Sequence, residues 1–224
     1  MQNRRGLFAG MQSGRLSGFV PYKGTKDLPN AGRISRFIRN FVDMKVALCQ
    51  FSMEWEAAAR NLRRAEELVA QAGADLALLP EMFATGFVTE PWRTALPDEE
   101  ELLAWMRRTA RRYATALAGS AVVRSGDRFA NRFFFVRPAG GAERYDKRHL
   151  FSIGGEDAHF VAGRRRVVVE YGGLRFLPLV CYDLRFPVWC RCRSDYDAIL
   201  CVASWPAPRR EVWRTLLRAQ AIEN

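Results

Sequence analysis

"LPLVCYDLRFPVWC", residues 177–190, runs apolar from Leu177 to Val180, then breaks at Cys181 into Tyr182 and Asp183 before an aromatic-rich segment. A short, unbroken apolar run with a polar stop reads as a strand buried on both faces, the kind found inside layered α/β folds. The residue on which it stops sets the functional question. Cys181 is either a small hydrophobe finishing a core strand or a nucleophile carried to the end of a sheet.

Working outward, "VVVEYGGLRFLPLVCYD" (167–183) repeats a strand, Gly-Gly turn, strand pattern. A short helical stretch follows at about 186–193, then a strand at 197–205 ("DAILCVASW") and a helix from about 209 onward. Upstream, "KVALCQF" (45–51) and "DLALLPE" (75–81) read as strands. Between them, 54–73 places Ala58, Leu62, Ala65, Val69 and Ala72 at three- and four-residue steps and stops at Gly73, which describes an amphipathic helix. Residues 98–114 form another helix, with Asp98 placed to cap it and acids in its first turn. Residues 116–138 give two strands around a Ser-Gly-Asp turn. The order β-α-β-α-β-β-β-β-β-α-β-α points to an α/β layered architecture in one domain, 44–224.

Composition narrows the function classes. Hydrophobic residues at 49% and charged residues at 26% suit an ordinary globular protein, and no stretch approaches the ~20 consecutive apolar residues of a membrane span. The net charge of +11 is uneven. Residues 1–43 contribute +6 through eight Arg and Lys against Asp27 and Asp43, which leaves a modest +5 for the remainder. "RRTARR" (107–112) and "RRR" (164–166) are short runs that read as solvated faces, so no nucleic-acid partner is expected. Five cysteines, an odd number without framework spacing, indicate a reduced, cytoplasmic protein. Cys190-x-Cys192 with just His149 and His159 in the chain does not make a zinc pattern, so no metal is expected. Residues 1–43 lack periodicity and read as a basic, disordered extension: a targeting leader, or a start placed upstream of a true beginning at Met44.

Three ionisable groups stand where apolar strands run out. Glu81 follows "LALLP", Lys147 lies in "YDKRHLF" beyond "RFFFV" and its Gly-Gly turn, and Cys181 follows "LPLV". Strand ends of α/β sheets gather residues distant in sequence into one cleft. Amide hydrolysis needs a nucleophile, a proton carrier and a cation or donor for the oxyanion, and Cys, Glu and Lys can fill those roles. Each also has an ordinary reading: Glu81 as a cap or solvated loop residue, Lys147 as surface, Cys181 as core. The residues taken singly leave both readings open.

The stretches "LLPEMFATGF" (78–87), "YDKRHLF" (145–151) with "GGEDAHFVAG" (154–163), and "CYDLRFP" (181–187) resemble, in order, the three motif regions of the nitrilase superfamily, the carbon–nitrogen hydrolases. The resemblance runs from Met44 to Asn224. It implies a catalytic triad of Glu81, Lys147 and Cys181, with Glu156 as a supporting second glutamate that orients the lysine. It also implies a four-layer α-β-β-α sandwich, no metal or organic cofactor, and homodimers paired through helices, including the one after the cysteine. "SWPAPR" (204–209) and the motif details look most like omega-amidases, which hydrolyse the terminal amide of 2-oxoglutaramate or 2-oxosuccinamate. The remote carboxylate of such a substrate would suit a bidentate arginine. The expected substrate set is Tyr182, Arg185, Trp205, Phe87 and Arg209, with a structural ion pair equally open for Arg185 and core packing equally open for Phe87 and Trp205.

The family continues past the stretch matched by "RAQAIEN" (218–224), so the sandwich is expected to lack its final strands, exposing an unpaired edge and an uncovered apolar face. Other amidases of the scaffold (on deaminated glutathione or carbamoyl amines), a true nitrilase, and an inactive truncated scaffold are the competing readings.

Overall fold

The structure, a computed structural model, describes residues 44–93 and 98–224; the expected N-terminal extension lies outside the described residues. In chain order the strands are β1 (Val46–Leu48), β2 (Leu76–Leu78), β3 (Ala116–Ser125), β4 (Arg128–Val136), β5 (Ala142–Asp146), β6 (Val169–Tyr171), β7 (Leu174–Val180) and β8 (Ala198–Val202). The helices are α1 (Ala58–Ala72), α2 (Glu99–Tyr113), α3 (Glu156–His159), α4 (Pro187–Cys190) and α5 (Arg210–Glu223). The sequence reading located each of these except β5, whose Ala142–Asp146 stretch is largely polar, and α3, a single turn too short to show a helical period. Asp98 caps α2 as its position predicts, accepting hydrogen bonds from the Glu100 and Glu101 backbone N–H groups.

The strands make two sheets. One has five strands in the order β1-β2-β3-β4-β5, parallel among the first three and antiparallel beyond. The other has three in the order β6-β7-β8, with β6 and β7 an antiparallel hairpin and β7 parallel to β8. Pro178, which cannot donate to a ladder, lies beyond Phe176, the last residue of β7 that β6 pairs.

Alternation along the strands sorts side chains into layers. Leu76, Leu78, Phe133 and Phe135 of the large sheet meet Phe176, Val180, Leu200 and Val202 of the small one in a core between the sheets. The opposite parity, Ala77, Leu117, Phe134 and Val136, packs outward under Val69 of α1 and Leu103 and Met106 of α2. On the other side Leu177, Leu179, Ile199 and Cys201 pack under Trp213 and Leu217 of α5. The result is the expected α-β-β-α stack.

One expectation needs correction. Among the described residues β8 pairs on one side alone, but its face is not uncovered. All five of its residues are buried, because the five-stranded sheet covers one face and α5 the other. Exposed apolar side chains lie elsewhere, among them Ile153 at 83%, Val188 of α4 at 81% and Ile222 of α5 at 84%.

Candidate active site

Glu81, Lys147 and Glu156 converge at the ends of the large sheet. Lys147 follows β5 and keeps its pairing for one more residue, its backbone N–H donating to the Asn131 carbonyl at 2.9 Å. Its Nζ stands 3.0 Å from Glu81 and 2.8 Å from Glu156, and the three side chains are essentially sealed from solvent. Burial alone would push the Lys147 pKa down. The negative charges of Glu81 and Glu156 outweigh it and hold the ammonium above its ordinary value, so it stays charged. Two glycines make this possible. Gly155, at φ +80°, starts the turn that delivers Glu156. Gly163 lies so close to the Asp146 carbonyl, beside Lys147, that an added Cβ would overlap it.

Cys181 begins a 3₁₀ turn, Cys181–Arg185, where β7 stops, and it adopts φ +48°. Met82, next to Glu81, has φ +50°. A left-handed backbone on a non-glycine residue costs of order 1–3 kcal/mol and persists where its surroundings enforce it. Burial of the Cys181 thiol, then the Glu81 charge and a hydrogen bond to Glu81, push its pKa well up against the opposing pull of Lys147. The resting group is therefore a thiol beside a carboxylate.

Asp183 enforces the turn. Its fully buried carboxylate accepts hydrogen bonds from the Val180 N–H (3.0 Å), the Tyr145 hydroxyl (2.8 Å) and the His149 N–H (2.8 Å), and its Oδ1 lies 2.9 Å from His149 Nδ1. Residues two before and two after Lys147 thus bind the residue two after Cys181. The lysine strand end and the cysteine turn are locked together.

Four of the predicted substrate residues gather at a rim. Arg185 lies over the rings of Trp205 (5.5 Å) and Tyr182 (5.9 Å), and Arg209 over Trp205 (5.9 Å) and Phe151 (5.5 Å). Among the described residues neither guanidinium meets a carboxylate, so the structural ion pair entertained for Arg185 is not formed there. Trp205 adjoins Ser204, whose N–H donates to Glu81 Oε2 at 2.8 Å. Phe87 is not brought to this group. It packs with Leu150 against Met82, Val88, Val122, Phe129 and Phe160, in keeping with core packing. Cys190 is buried, and burial pushes its thiol up to about 12.

The family described as carbon-nitrogen hydrolase matches residues 45–224. The chain belongs to the carbon–nitrogen hydrolase family. Omega-amidase YafV of Yersinia enterocolitica is 47% identical over 81% of this chain and 71% of its own length. The 2-oxoglutaramate amidase of Bacillus subtilis is 31% identical over 80% and 72%. A Xanthomonas campestris CN-hydrolase superfamily structure with an arsenic adduct in its active site is 41% identical with a TM-score of 0.77, covering 81% of this chain and 72% of that one. A variant of the Nesterenkonia amidase, with the acetamide moiety of fluoroacetamide covalently added at its active-site cysteine, is 27% identical with a TM-score of 0.73, covering 81% and 72%.

In this hydrolase the sequence reading missed the residues that hold the Glu81–Lys147–Glu156 cluster and the Cys181 turn. Asn131, Tyr145, Asp183 and the Ser204 backbone carry no strand-end signature. Asn131 and Asp183 did leave a trace, as polar residues set among the apolar and aromatic residues of "RFANRFFFV" and "LPLVCYDLRF". Among the described residues, no helix is long and apolar enough to cross a membrane.

Proposed function

We propose that this hydrolase cleaves the terminal amide of a short 2-oxo dicarboxylic acid monoamide, with 2-oxoglutaramate and 2-oxosuccinamate as substrates, through a thioester on Cys181. The observation that carries the reading is the sealed Glu81–Lys147–Glu156 cluster set against the Cys181 thiol. The names of the similar omega-amidase and 2-oxoglutaramate amidase support the substrate class. The adduct on the Nesterenkonia cysteine supports the covalent route.

A raised thiol pKa means that Cys181 does not attack as a standing thiolate, so its proton leaves as the bond forms. Glu81 takes that proton while Sγ bonds to the amide carbon and the carbonyl π pair moves onto oxygen. Lys147 and the Tyr182 backbone N–H stabilise the oxyanion. Collapse expels the nitrogen, which takes the proton from Glu81 and leaves as ammonia. Water then gives a proton to Glu81 and attacks the thioester. The departing sulfur recovers that proton, and the carboxylic acid is released.

Arg185 and Arg209, free of carboxylates among the described residues and flanking Trp205, are the seat we assign to the remote carboxylate of the substrate. The unpaired cysteines support work in a reducing compartment, the cytoplasm. Exposed Val188 and Ile222 support pairing of two chains through α4 and α5.

The test is ammonia release from 2-oxoglutaramate beside a monoamide without the remote carboxylate, deaminated glutathione, a carbamoyl amine and a nitrile. We expect 2-oxoglutaramate to be preferred, a thioester mass on Cys181, and no turnover by Cys181→Ala. Arg209→Gln should raise KM by roughly 10- to 100-fold, the loss of one charge-assisted contact. Turnover surviving in Cys181→Ala would overturn the mechanism. Equal rates with and without the remote carboxylate would overturn the substrate class.

A further inference from the structure

Between the two catalytic-site carboxylates lies a side chain that the triad does not include. Asn131, fully buried on β4, directs one amide nitrogen at both: Nδ2 is 2.9 Å from Glu81 Oε1 and 3.2 Å from Glu156 Oε1. Lys147 Nζ reaches the same Glu81 oxygen, and the Asn131 carbonyl accepts the Lys147 N–H. The amide orientation is not free. Turning it over would set Oδ1 against two carboxylate oxygens, and it holds even though, among the described residues, Oδ1 finds no protein partner.

Charge explains why such a donor is needed. Two carboxylates and one ammonium leave the sealed cluster with one excess negative charge, and like charges in a site disfavour each other. A neutral two-carboxylate donor disperses that excess without supplying a second cation, which would draw the Glu81 charge away from its task. It also fills Glu81 Oε1, with Lys147, while Oε2 takes the Ser204 N–H. The carboxylate plane is thereby fixed relative to the cysteine turn.

We propose that Asn131 is a positioning residue for this hydrolase, one that keeps Glu81 and Glu156 side by side and holds Glu81 in the orientation from which it takes the Cys181 proton. The proposal rests on the amidase reading above for its catalytic meaning, but its geometry can be tested without substrate. The titratable and charged groups facing the Cys181 thiol are Glu81, Lys147 and Cys201, and those facing Asn131 are Glu81, Glu156 and Lys147.

The experiment follows alkylation of Cys181 by iodoacetamide across pH, by mass spectrometry of the peptide that carries it, in the full chain. Asn131→Asp keeps the shape and replaces the donor with an acid. Alkylation at pH 8 should slow about tenfold, with the midpoint moving up by roughly one pH unit, the low end of a like-charge shift. Asn131→Ala, for the case in which the aspartate variant does not fold, should lower kcat for ammonia release roughly 10- to 100-fold with KM within about twofold, as expected for a misdirected general base. Ser120→Ala, which removes the buried hydroxyl bonded to the Met82 N–H, is the structural control: a lower Tm with an unmoved alkylation midpoint. A folded Asn131→Asp with the parent midpoint, or an Asn131→Ala with the parent kcat, would overturn the proposal. If the parent releases no ammonia from any amide while the Asn131→Asp midpoint still moves, the substrate reading fails and the positioning role stands.

Discussion

Lys147→Met removes an ammonium and keeps most of its apolar stem, which isolates the charge. In the parent, Nζ stands 3.0 Å and 2.8 Å from two carboxylates, and none of the three side chains is more than 1% exposed. Removing one partner of a buried ion pair costs about 3–5 kcal/mol, because the remaining charge is stranded away from water. The low end applies here. Glu81 keeps the Asn131 amide and the Ser204 N–H, and Glu156 keeps Asn131 and the Phe151 N–H. A loss near 3 kcal/mol corresponds to roughly 6–12 °C in Tm for a domain of this size.

The pH dependence fixes the sign. Burial opposes the Lys147 charge, but Glu81 and Glu156 outweigh it and raise its pKa above the ordinary 10.5. A group raised on folding contributes fully below its unfolded pKa and loses that contribution as pH rises through the folded one. At pH 8 the parent therefore has the whole contribution and the variant has none of it. Placing a proton between the stranded carboxylates relieves their repulsion, so the variant's deficit should shrink toward pH 5. Urea unfolding followed by tryptophan fluorescence at pH 8 and pH 5 would measure this for Lys147→Met, Glu156→Gln and the double variant. The double variant should be less destabilised than Lys147→Met at pH 8, since a neutral amide replaces one of the two charges. A Lys147→Met deficit below about 1 kcal/mol at both pH values would refute the reasoning, because the carboxylates would then not depend on the ammonium. Thioester formation by the variant should fall by about 10²–10³, the loss of one oxyanion donor.

Three further outcomes follow from single residues. Cys181→Gly should be more stable than Cys181→Ala by about 0.5–1 kcal/mol in thermal melts, because φ +48° suits glycine and the relief exceeds its unfolded-state entropy; equal stability would mean the turn is unstrained. Gly163→Ala should destabilise by about 1–3 kcal/mol and reduce kcat, since its Cβ displaces the strand end that carries Lys147; a neutral result in both assays would show that the strand end yields freely. Burial raises the Cys49 thiol from 9.0 to about 11, so its stabilising contribution is complete below pH 9 and declines as pH rises to 11, at about 1.4 kcal/mol per pH unit. Stability measured from pH 8 to 11 should thus fall less steeply in Cys49→Ala than in the parent, and parallel curves would exclude this thiol as a cause.

The local patterns in the chain were enough to place the main elements. Apolar runs such as "LALLP" and "LPLV" have to be buried, and the three- and four-residue spacing in 54–73 suits a helix with one apolar face. Asp98 reads as a cap because its side chain reaches backbone N–H groups two and three residues on. Each of these is a contact within a few residues, so the sequence displays it. The proposed triad was legible for another reason: Glu81, Lys147 and Cys181 each stand at a strand end, within motifs that resemble a known family.

What the tertiary structure decided were matters of distance between segments far apart in the chain. Asp183 meets Tyr145 and His149, Asn131 spans Glu81 and Glu156, and Ser204 reaches Glu81 across 123 positions. No pattern within a window of sequence records such pairings, because they arise when strands distant in the chain become neighbours in one sheet or when the two sheets pack face to face. The same packing buried β8, where an uncovered face was expected, and separated Phe87 from the arginine rim. Cys181 shows the division in one residue. The sequence by itself determined that a buried strand ends there; the packing of two sheets determined that its thiol faces a carboxylate and an ammonium, since their charges are delivered by strands more than thirty residues away.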